Sequence, residues 1–517
     1  MKARKIYSNP ISWFVFLSVL FILLNVLTFD WKLAWNDETE LTDTSANYVE
    51  FGQWVSKAFP DYGGKEPFSV YVPLHQMLLA LWMKFFGFSM VSARSFNLLL
   101  TLLSGCGLIG FAKRLIGRTP GKYTVISFTF LFWGCAEFAS IYRNGRGDML
   151  GVLLCILLSN VVYDYIHCKD KNLLYAIGVL SGLLICSALQ SCIFAVAALL
   201  LVYIVYEEYR ANLRQIAKYM FLGYIVGFVL MLLFFWHNDH LFPFLVSIAS
   251  LSGTLKSFAA FLLPYFGPMF GLNPEEWLAK LADDEKGPSL FIKMMSIYSF
   301  VTYDILLVVS VLILIIQGQF KNRQTWRSPL VFLLMFVVLV PVFMNLAGRY
   351  VDYYRWMSYL PLVLVVVFLC EQVENKPIKI GMVIMSMLIS CVGALSLFDQ
   401  DQKKKNDAIK ELCQNLPIKK SDIVCAPDEF FYEIRKKSNN CYFTKHYPVK
   451  YMDINKINYY IKDLKDFETM HNTKFSRQLQ KTFDENNSIR LHPIDSCMLL
   501  RVVVYQVEHI EINNNIQ

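Results

Sequence analysis

The sequence predicts a mostly α, polytopic helical membrane protein that ends in a small α/β domain. Three observations predict it. Of 517 residues, 55% are hydrophobic and 17% charged, whereas a typical soluble chain is roughly 25% charged. The apolar residues gather into runs of about 16–20 residues that recur from Ile11 to Leu397. From Phe398 the composition turns to Asp, Lys, Asn and Glu, with no further run. A soluble multidomain enzyme, a disordered chain and a small disulfide scaffold are thereby excluded. The expected division is a transmembrane domain, 1–397, and a soluble extracytoplasmic domain, 398–517.

The net charge of +8 reads as a topology signal, not a nucleic-acid surface, because Lys and Arg collect in cytoplasmic loops. Lys2, Arg4 and Lys5 precede an apolar run from Ile11 to Phe29. No small-residue cleavage site follows, so this reads as an uncleaved first span that leaves the N-terminus in the cytoplasm. The first external loop then covers 30–92. Within it Thr39 to Ala58 reads as a surface helix bearing Leu41, Ala46, Tyr48, Phe51, Trp54 and Val55. Pro73–Phe86 is apolar but short and carries His75, Gln76 and Lys84. A span here would turn the basic loop Lys113 to Lys122 outward, so it reads as an interfacial helix.

The remaining spans alternate: Ser92–Ala112, Tyr123–Tyr142, Met149–Ile166, Leu173–Ala188, Ile193–Tyr206, Tyr219–Trp236, Ser289–Ile316, Leu330–Leu346, Trp356–Cys370 and Lys376–Leu397. This makes about eleven transmembrane helices, with every short Lys/Arg-rich loop on one side. The long connection His237 to Leu290 holds apolar pieces, Leu241–Leu251 and Phe258–Phe266, that read as interfacial or re-entrant. In the tail, Asp422–Ala426 and Cys441–Thr444 read as strands, Glu429–Lys437 as a helix, Met452–Phe483 as largely helical and Met498–Val507 as a strand.

Of 12 cysteines, eight lie up to Cys391, nearly all in apolar segments. Cys413, Cys425, Cys441 and Cys497 lie in the tail and allow three pairings if that side is oxidising. No metal-ligand spacing occurs. No motif demands a cofactor; a divalent cation at the acids is the one addition left open.

Candidate chemistry gathers at the external turns. Trp35-Asn36-Asp37-Glu38-Thr39-Glu40 follows the first span directly; such acids are either solvated caps or catalytic carboxylates. Arg143-Asn144-Gly145-Arg146-Gly147-Asp148 interrupts an apolar sequence at the next outer turn. Outer arginines run against the positive-inside rule. Either Arg143 and Arg146 pair with Asp148 or reach headgroup phosphates, or they form a phosphate clamp through the planar guanidinium fork. A third turn carries Arg349, Tyr350, Asp352, Tyr353, Tyr354 and Arg355, followed by Tyr359-Leu360-Pro361. Converging in a bundle, these turns suit a substrate with a lipid tail and a phosphate at the water boundary.

These features, in order, are the Asp37-Glu38 pair after the first span, Val72-Pro73-Leu74 opening a helix that ends Lys84-Phe85-Phe86-Gly87, Ala93-Arg94, Arg146-Gly147-Asp148, and Arg355 before Tyr359-Leu360-Pro361. They resemble the GT-C membrane glycosyltransferases, in particular the branch of protein O-mannosyltransferases and lipid A aminoarabinose transferases (glycosyltransferase family 39-like), over residues of about 10–370. The resemblance implies a GT-C fold, a polyprenyl-phosphate sugar donor, an extracytoplasmic active site and transfer with inversion. It maps the acidic pair onto Asp37 and Glu38 and the second acid onto Asp148. The chain departs from the pattern where a Lys-Pro-Pro-Leu sequence is usual, having Tyr71-Val72-Pro73-Leu74, and where a tyrosine is usual, having Leu41. Lys65 is the candidate replacement for the missing lysine.

The expected function is therefore an integral membrane glycosyltransferase, in a bacterial cytoplasmic (inner) membrane, acting on an extracytoplasmic lipid, glycan or protein acceptor. Asp37 is expected to be the base, Asp148 to assist and Glu38 to shape the site. Arg143, Arg146, Arg355 and Lys65 are the donor-phosphate candidates, and Tyr71, Tyr350, Tyr354 and Tyr359 the substrate-pocket candidates. A lipid-linked sugar flippase would need charges deep in the spans, and here they lie at one face. A membrane-anchored binding protein would work through the tail after Phe398.

Overall fold

The computed structural model describes residues 9–58, 71–241, 244–245, 329–346, 356–395, 397–444, 452, 454–464, 474–486 and 488–510. The expected span 289–316 and the candidates Lys65, Tyr350, Tyr354 and Arg355 lie outside the described residues.

The helices in chain order are α1 (Pro10–Leu27), α2 (Asn36–Phe51), α3 (Pro73–Phe86), α4 (Met90–Ile116), α5 (Lys122–Gly134), α6 (Ala136–Tyr142), α7 (Asp148–Cys168), α8 (Lys171–Ser187), α9 (Leu189–Val205), α10 (Arg210–His237), α11 (Pro329–Leu346), α12 (Trp356–Gln372), α13 (Lys376–Leu395) and α14 (Gln400–Asn415). Among the described residues, α1, α4, α7, α10 and α13 are long and apolar enough to cross a membrane, and α8, α9 and α12 are shorter apolar helices. This is a multi-pass integral membrane protein. Helix ends follow local chemistry. Asn9 caps α1 ahead of Pro10, and Ser89 accepts from Ser92 N at the start of α4. Gly117, at φ +76, ends α4 beside Lys113 and Arg114.

The expected single span 123–142 is two helices. Gly134 lies where a Cβ would fall 1.7 Å from Ser390 Oγ of α13, and the chain leaves helical geometry at Cys135, with ψ 124. The break orphans the last carbonyls of α5. Tyr359 of α12 donates to Leu131 O at 2.8 Å and Tyr142 to Trp133 O at 2.7 Å. Elsewhere α8 and α10 touch backbone to backbone: Gly178 and Gly182 face Gly223 and Gly227, and a Cβ on Gly223 would lie 2.0 Å from Gly178 O. Small residues four apart are what such close approach requires.

Arg114 pairs with Asp164 at one end of the bundle, and Glu371 accepts there from Arg118, Gly121 N and Thr124. The opposite end carries α2, α3 and the turn before α7. Helix α3 presents Leu81, Phe85 and Phe86 outward, as an interfacial helix does.

The C-terminal region is a mixed sheet with helices. Its strands are β1 (Ile423–Ala426), β2 (Asn440–Phe443), β3 (Ile457–Asp463), β4 (Ile489–Cys497) and β5 (Val502–His509), in the order β2-β1-β3-β5-β4. β1 pairs parallel with β2 and β3; β5 pairs antiparallel with β3 and β4. Helices α15 (Phe431–Lys437) and α16 (Lys474–Glu485) complete it. The strands expected at Asp422–Ala426 and Cys441–Thr444, and the helix ending at Lys437, are present. Among the described residues of Met452–Phe483, expected to be largely helical, 457–463 form β3, the middle strand of the sheet, and helix is found from Lys474. Buried on both faces (Tyr459, Tyr460 and Ile461 in succession), β3 lacks the period-2 alternation of a half-buried strand. β4 carries no strand signal in the sequence, being an edge strand with polar, exposed residues and Pro493 at a register shift. All 12 cysteines are free thiols in this structure.

Candidate functional site

Helix α2 is the unusual element. Its sequence Asn36 to Phe51 is rich in Asp, Glu, Thr and Asn, yet Glu38, Thr39, Glu40, Thr42, Asp43, Thr44, Ser45 and Asn47 are all buried. Buried carboxylates must be paired or strongly hydrogen-bonded, and Glu38 and Asp43 draw their partners from elsewhere in the chain.

Asp37, in the first turn, is held by Arg146 Nη1, and Asp148 Oδ2 accepts from Arg146 Nε at 2.5 Å. One guanidinium thus bridges two carboxylates from segments far apart in sequence. Burial works against the charged guanidinium, but Asp148 and Asp37 outweigh it and hold Arg146 more firmly protonated than usual. The Trp35 ring stacks beneath it at 5.0 Å, and Tyr71 is close enough to act on its charge. Asp37 keeps 18% of its side chain exposed, against 10% for Asp148 and 6% for Arg146. The open carboxylate is therefore Asp37.

Glu38 is closed off. It takes Arg94 Nε and Nη2 at 2.8 and 2.9 Å and accepts from the Tyr432 hydroxyl at 3.1 Å. Arg94 spends its other N–H groups on the carbonyls of Phe29, Lys32 and Leu33, which ties the segment after α1 to α2. Lys32 stands in the same charge cluster; burial first, then Arg94, lowers its ammonium to about 8.

The turn carrying Arg146 is fixed from beneath. Asn97 Nδ2 donates to Asn144 O at 2.6 Å and Arg146 O at 2.7 Å. Its Oδ1 must then accept the 3.2 Å bond from His75 Nε2, so His75 carries its proton on Nε2. Burial pushes His75 down to about 4, and the imidazole is neutral. Gly145 and Gly147 let the turn close: a Cβ at Gly145 would lie 3.0 Å from Glu38 Cγ, and one at Gly147 3.3 Å from His75 Cγ.

The structure thus gathers Asp37, Glu38, Arg146 and Asp148 at one end of the bundle, with Tyr71 beside Arg146. Arg143, buried, donates to Thr28 O and Oγ1 at 2.7 and 2.9 Å; burial foremost lowers it to about 10. Tyr359 stands in the helical interior on Leu131 O. The roles of Lys32, His75, Asn97, Tyr432 and Arg435 are not legible in the sequence, and Arg94 stands out there only as part of the Ala93-Arg94 motif. His75 and Asn97 lie in apolar helices and Tyr432 and Arg435 in the tail, where a lone polar residue carries no periodic signal. Among the described residues no three His, Cys, Asp or Glu side chains converge as a metal site; the cation shared by Asp37 and Asp148 is Arg146.

The overall fold recurs in solved membrane-protein structures at low sequence identity. Crystal structures of ArnT from Cupriavidus metallidurans bound to undecaprenyl phosphate and of the Archaeoglobus fulgidus oligosaccharyltransferase in the apo form share it. The first is 12% identical with a TM-score of 0.54, covering 95% of this chain and 97% of that one. The second is 12% identical with a TM-score of 0.52, covering 88% and 70%. Residues 65–236 match the family described as dolichyl-phosphate-mannose-protein mannosyltransferase. No curated protein sequence matches the chain.

Proposed function

We propose that the protein is an integral membrane glycosyltransferase that moves a sugar from a polyprenyl-phosphate donor to a lipid, glycan or protein acceptor, with inversion, at the extracytoplasmic face of a bacterial cytoplasmic membrane. The observation that carries this reading is the Asp37–Arg146–Asp148 bridge, with Asp37 left open at its edge. The fold shared with those structures and the family match over 65–236 support it.

The reaction needs few groups. An acceptor hydroxyl attacks the sugar C1; the C1–O bond to the lipid phosphate breaks, and the phosphate departs with the electron pair from the opposite face. Asp37 takes the hydroxyl proton as base catalyst. Arg146 keeps Asp37 and Asp148 ionised and oriented while the oxocarbenium-like charge develops. Because Arg146 is engaged by two carboxylates, the phosphate falls to other cations; Arg143, Arg355 and Lys65 are the candidates, and Tyr71, beside Arg146, is the substrate-pocket candidate. The charges stand at one end of the bundle, which favours an interfacial enzyme over a transporter with midplane charges.

The test is incubation of the purified protein with a panel of polyprenyl-phosphate sugars, followed by mass spectrometry of lipids, glycans and proteins from its host. A new glycosidic bond that vanishes in Asp37→Asn is expected. Movement of donor across liposomes without any new bond would replace this reading with the flippase.

A further inference from the structure

The C-terminal region reaches the site-bearing segments at two places. Helix α14 grips the segment after α1: Lys410 pairs with Asp30 at 3.0 Å, Gln402 Oε1 accepts from Leu33 N at 3.2 Å, and Asn406 donates to Asp30 O. Helix α15 grips α2. Tyr432 donates to Glu38 and lies 3.2 Å from Thr42 Oγ1. Arg435 donates to Asp43 Oδ1 at 3.3 Å, Asn47 Oδ1 at 3.0 Å and Glu50 Oε2 at 2.9 Å. Tyr432 and Arg435 are both buried.

We propose that the C-terminal region is an arm of the active site, in which Tyr432 and Arg435 are positioning residues that set the rotation and tilt of α2 and so direct Asp37 at Arg146. This rests on the role given to Asp37 above. The geometry of a helix supplies the reason. Asp37 and Glu38 are about 100° apart around the axis, so a modest rotation of α2 carries Asp37 off Arg146. The α2 residues that meet α15, from Glu38 to Glu50, span about 18 Å along the axis. Anchors at both ends of that length fix rotation and tilt together. The anchors are selective as well as close. The single Tyr432 proton goes to the ionised Glu38, and Thr42 can then donate to the tyrosine oxygen. Water cannot replace either partner, since Glu38, Thr42 and Asp43 are almost wholly buried. Asp43 is further fixed by the backbone N–H groups of Lys57 and Ala58 at 2.7 and 3.1 Å, so Arg435 closes a loop already tied at its other side.

The test uses the full chain in detergent micelles, with Tyr432→Phe as the main variant and Arg435→Lys as the second should the first not accumulate. Hydrogen–deuterium exchange is followed over 36–51 and 143–148, with the strands 457–463 and 502–509 as the internal reference. Tyr432→Phe is expected to speed exchange in both site segments by about tenfold, the scale of one hydrogen bond to a charged group, and to leave the reference unchanged. On whichever polyprenyl-phosphate sugar turns over, kcat should fall by about tenfold with KM within about twofold. Replacing Tyr432 by 4-aminophenylalanine, which keeps an N–H donor, should restore kcat. Unchanged protection at 36–51 and 143–148 overturns the proposal, as does a loss of thermal stability with normal kcat in the folded fraction. Normal turnover in Asp37→Asn would instead overturn the catalytic reading, and the exchange result would still decide the positioning role.

Discussion

Arg94 and Glu38 meet through two parallel hydrogen bonds, Nε at 2.8 Å and Nη2 at 2.9 Å, with side chains 1% and 0% exposed. The remaining Arg94 donors end on carbonyls of the segment after α1. The pair therefore joins α4, α2 and that segment at a point water does not reach.

Arg94→Ala leaves Glu38 charged and buried with only Tyr432 to meet it. Breaking one side of a buried pair costs about 3–5 kcal/mol, so the thermal midpoint in detergent should fall sharply. Arg94→Lys should recover little of it, because an ammonium cannot serve the planar fork and three carbonyls at once. Near-normal melting of Arg94→Lys would show that charge alone suffices.

Asp37→Asn and Asp148→Asn separate the two carboxylates on Arg146. If Asp37 removes the acceptor proton, its amide variant loses about 10²–10⁴-fold in kcat while membrane abundance holds. Asp148→Asn, farther from solvent, should cost less in kcat. Steady-state kinetics of the two variants side by side gives the order, and equal losses would argue that both carboxylates act as one unit.

His75 introduces a pH dependence with a definite sign. Burial lowers its value from 6.5 to about 4, so the unfolded chain binds this proton first. The stabilisation is complete above about pH 6.5 and is lost progressively as pH falls towards 4, with a total on the order of 3 kcal/mol. His75→Gln should flatten the melting temperature between those limits relative to the parent. An unchanged difference curve would remove His75 from the account.

Gly223 and Gly178 face one another, but the contact is asymmetric. A methyl on Gly223 would sit 2.0 Å from Gly178 O, whereas one on Gly178 would sit 3.4 Å from Tyr219 O. Gly223→Ala should therefore destabilise by about 1–3 kcal/mol through overpacking, and Gly178→Ala by much less. Thermal unfolding of the two variants checks the difference directly.

Much of the site was legible before the fold. Asp37, Glu38, Arg146 and Asp148 stand out because charge at the outer end of an apolar run is costly and conspicuous. Their relations were not legible. For Arg146 the sequence left pairing with Asp148 and phosphate binding side by side; in the fold it pairs with Asp148 and also with Asp37, 109 positions away. Tyr432 and Arg435 sit in a short tail helix whose pattern says only that it is helical.

The amino-acid sequence by itself determined that the chain crosses a membrane repeatedly, where most helices run, and which turns carry acid. Hydrophobic length and charge placement depend on local composition, and the bilayer reads them directly. Only the tertiary structure decided which carboxylate each arginine neutralises, that Cys135 breaks a span, that β3 is a strand, and that the tail closes on α2. These depend on burial, and burial is a property of what packs opposite. Glu38 is tolerable at 0% exposure because Arg94 and Tyr432 arrive from distant parts of the chain.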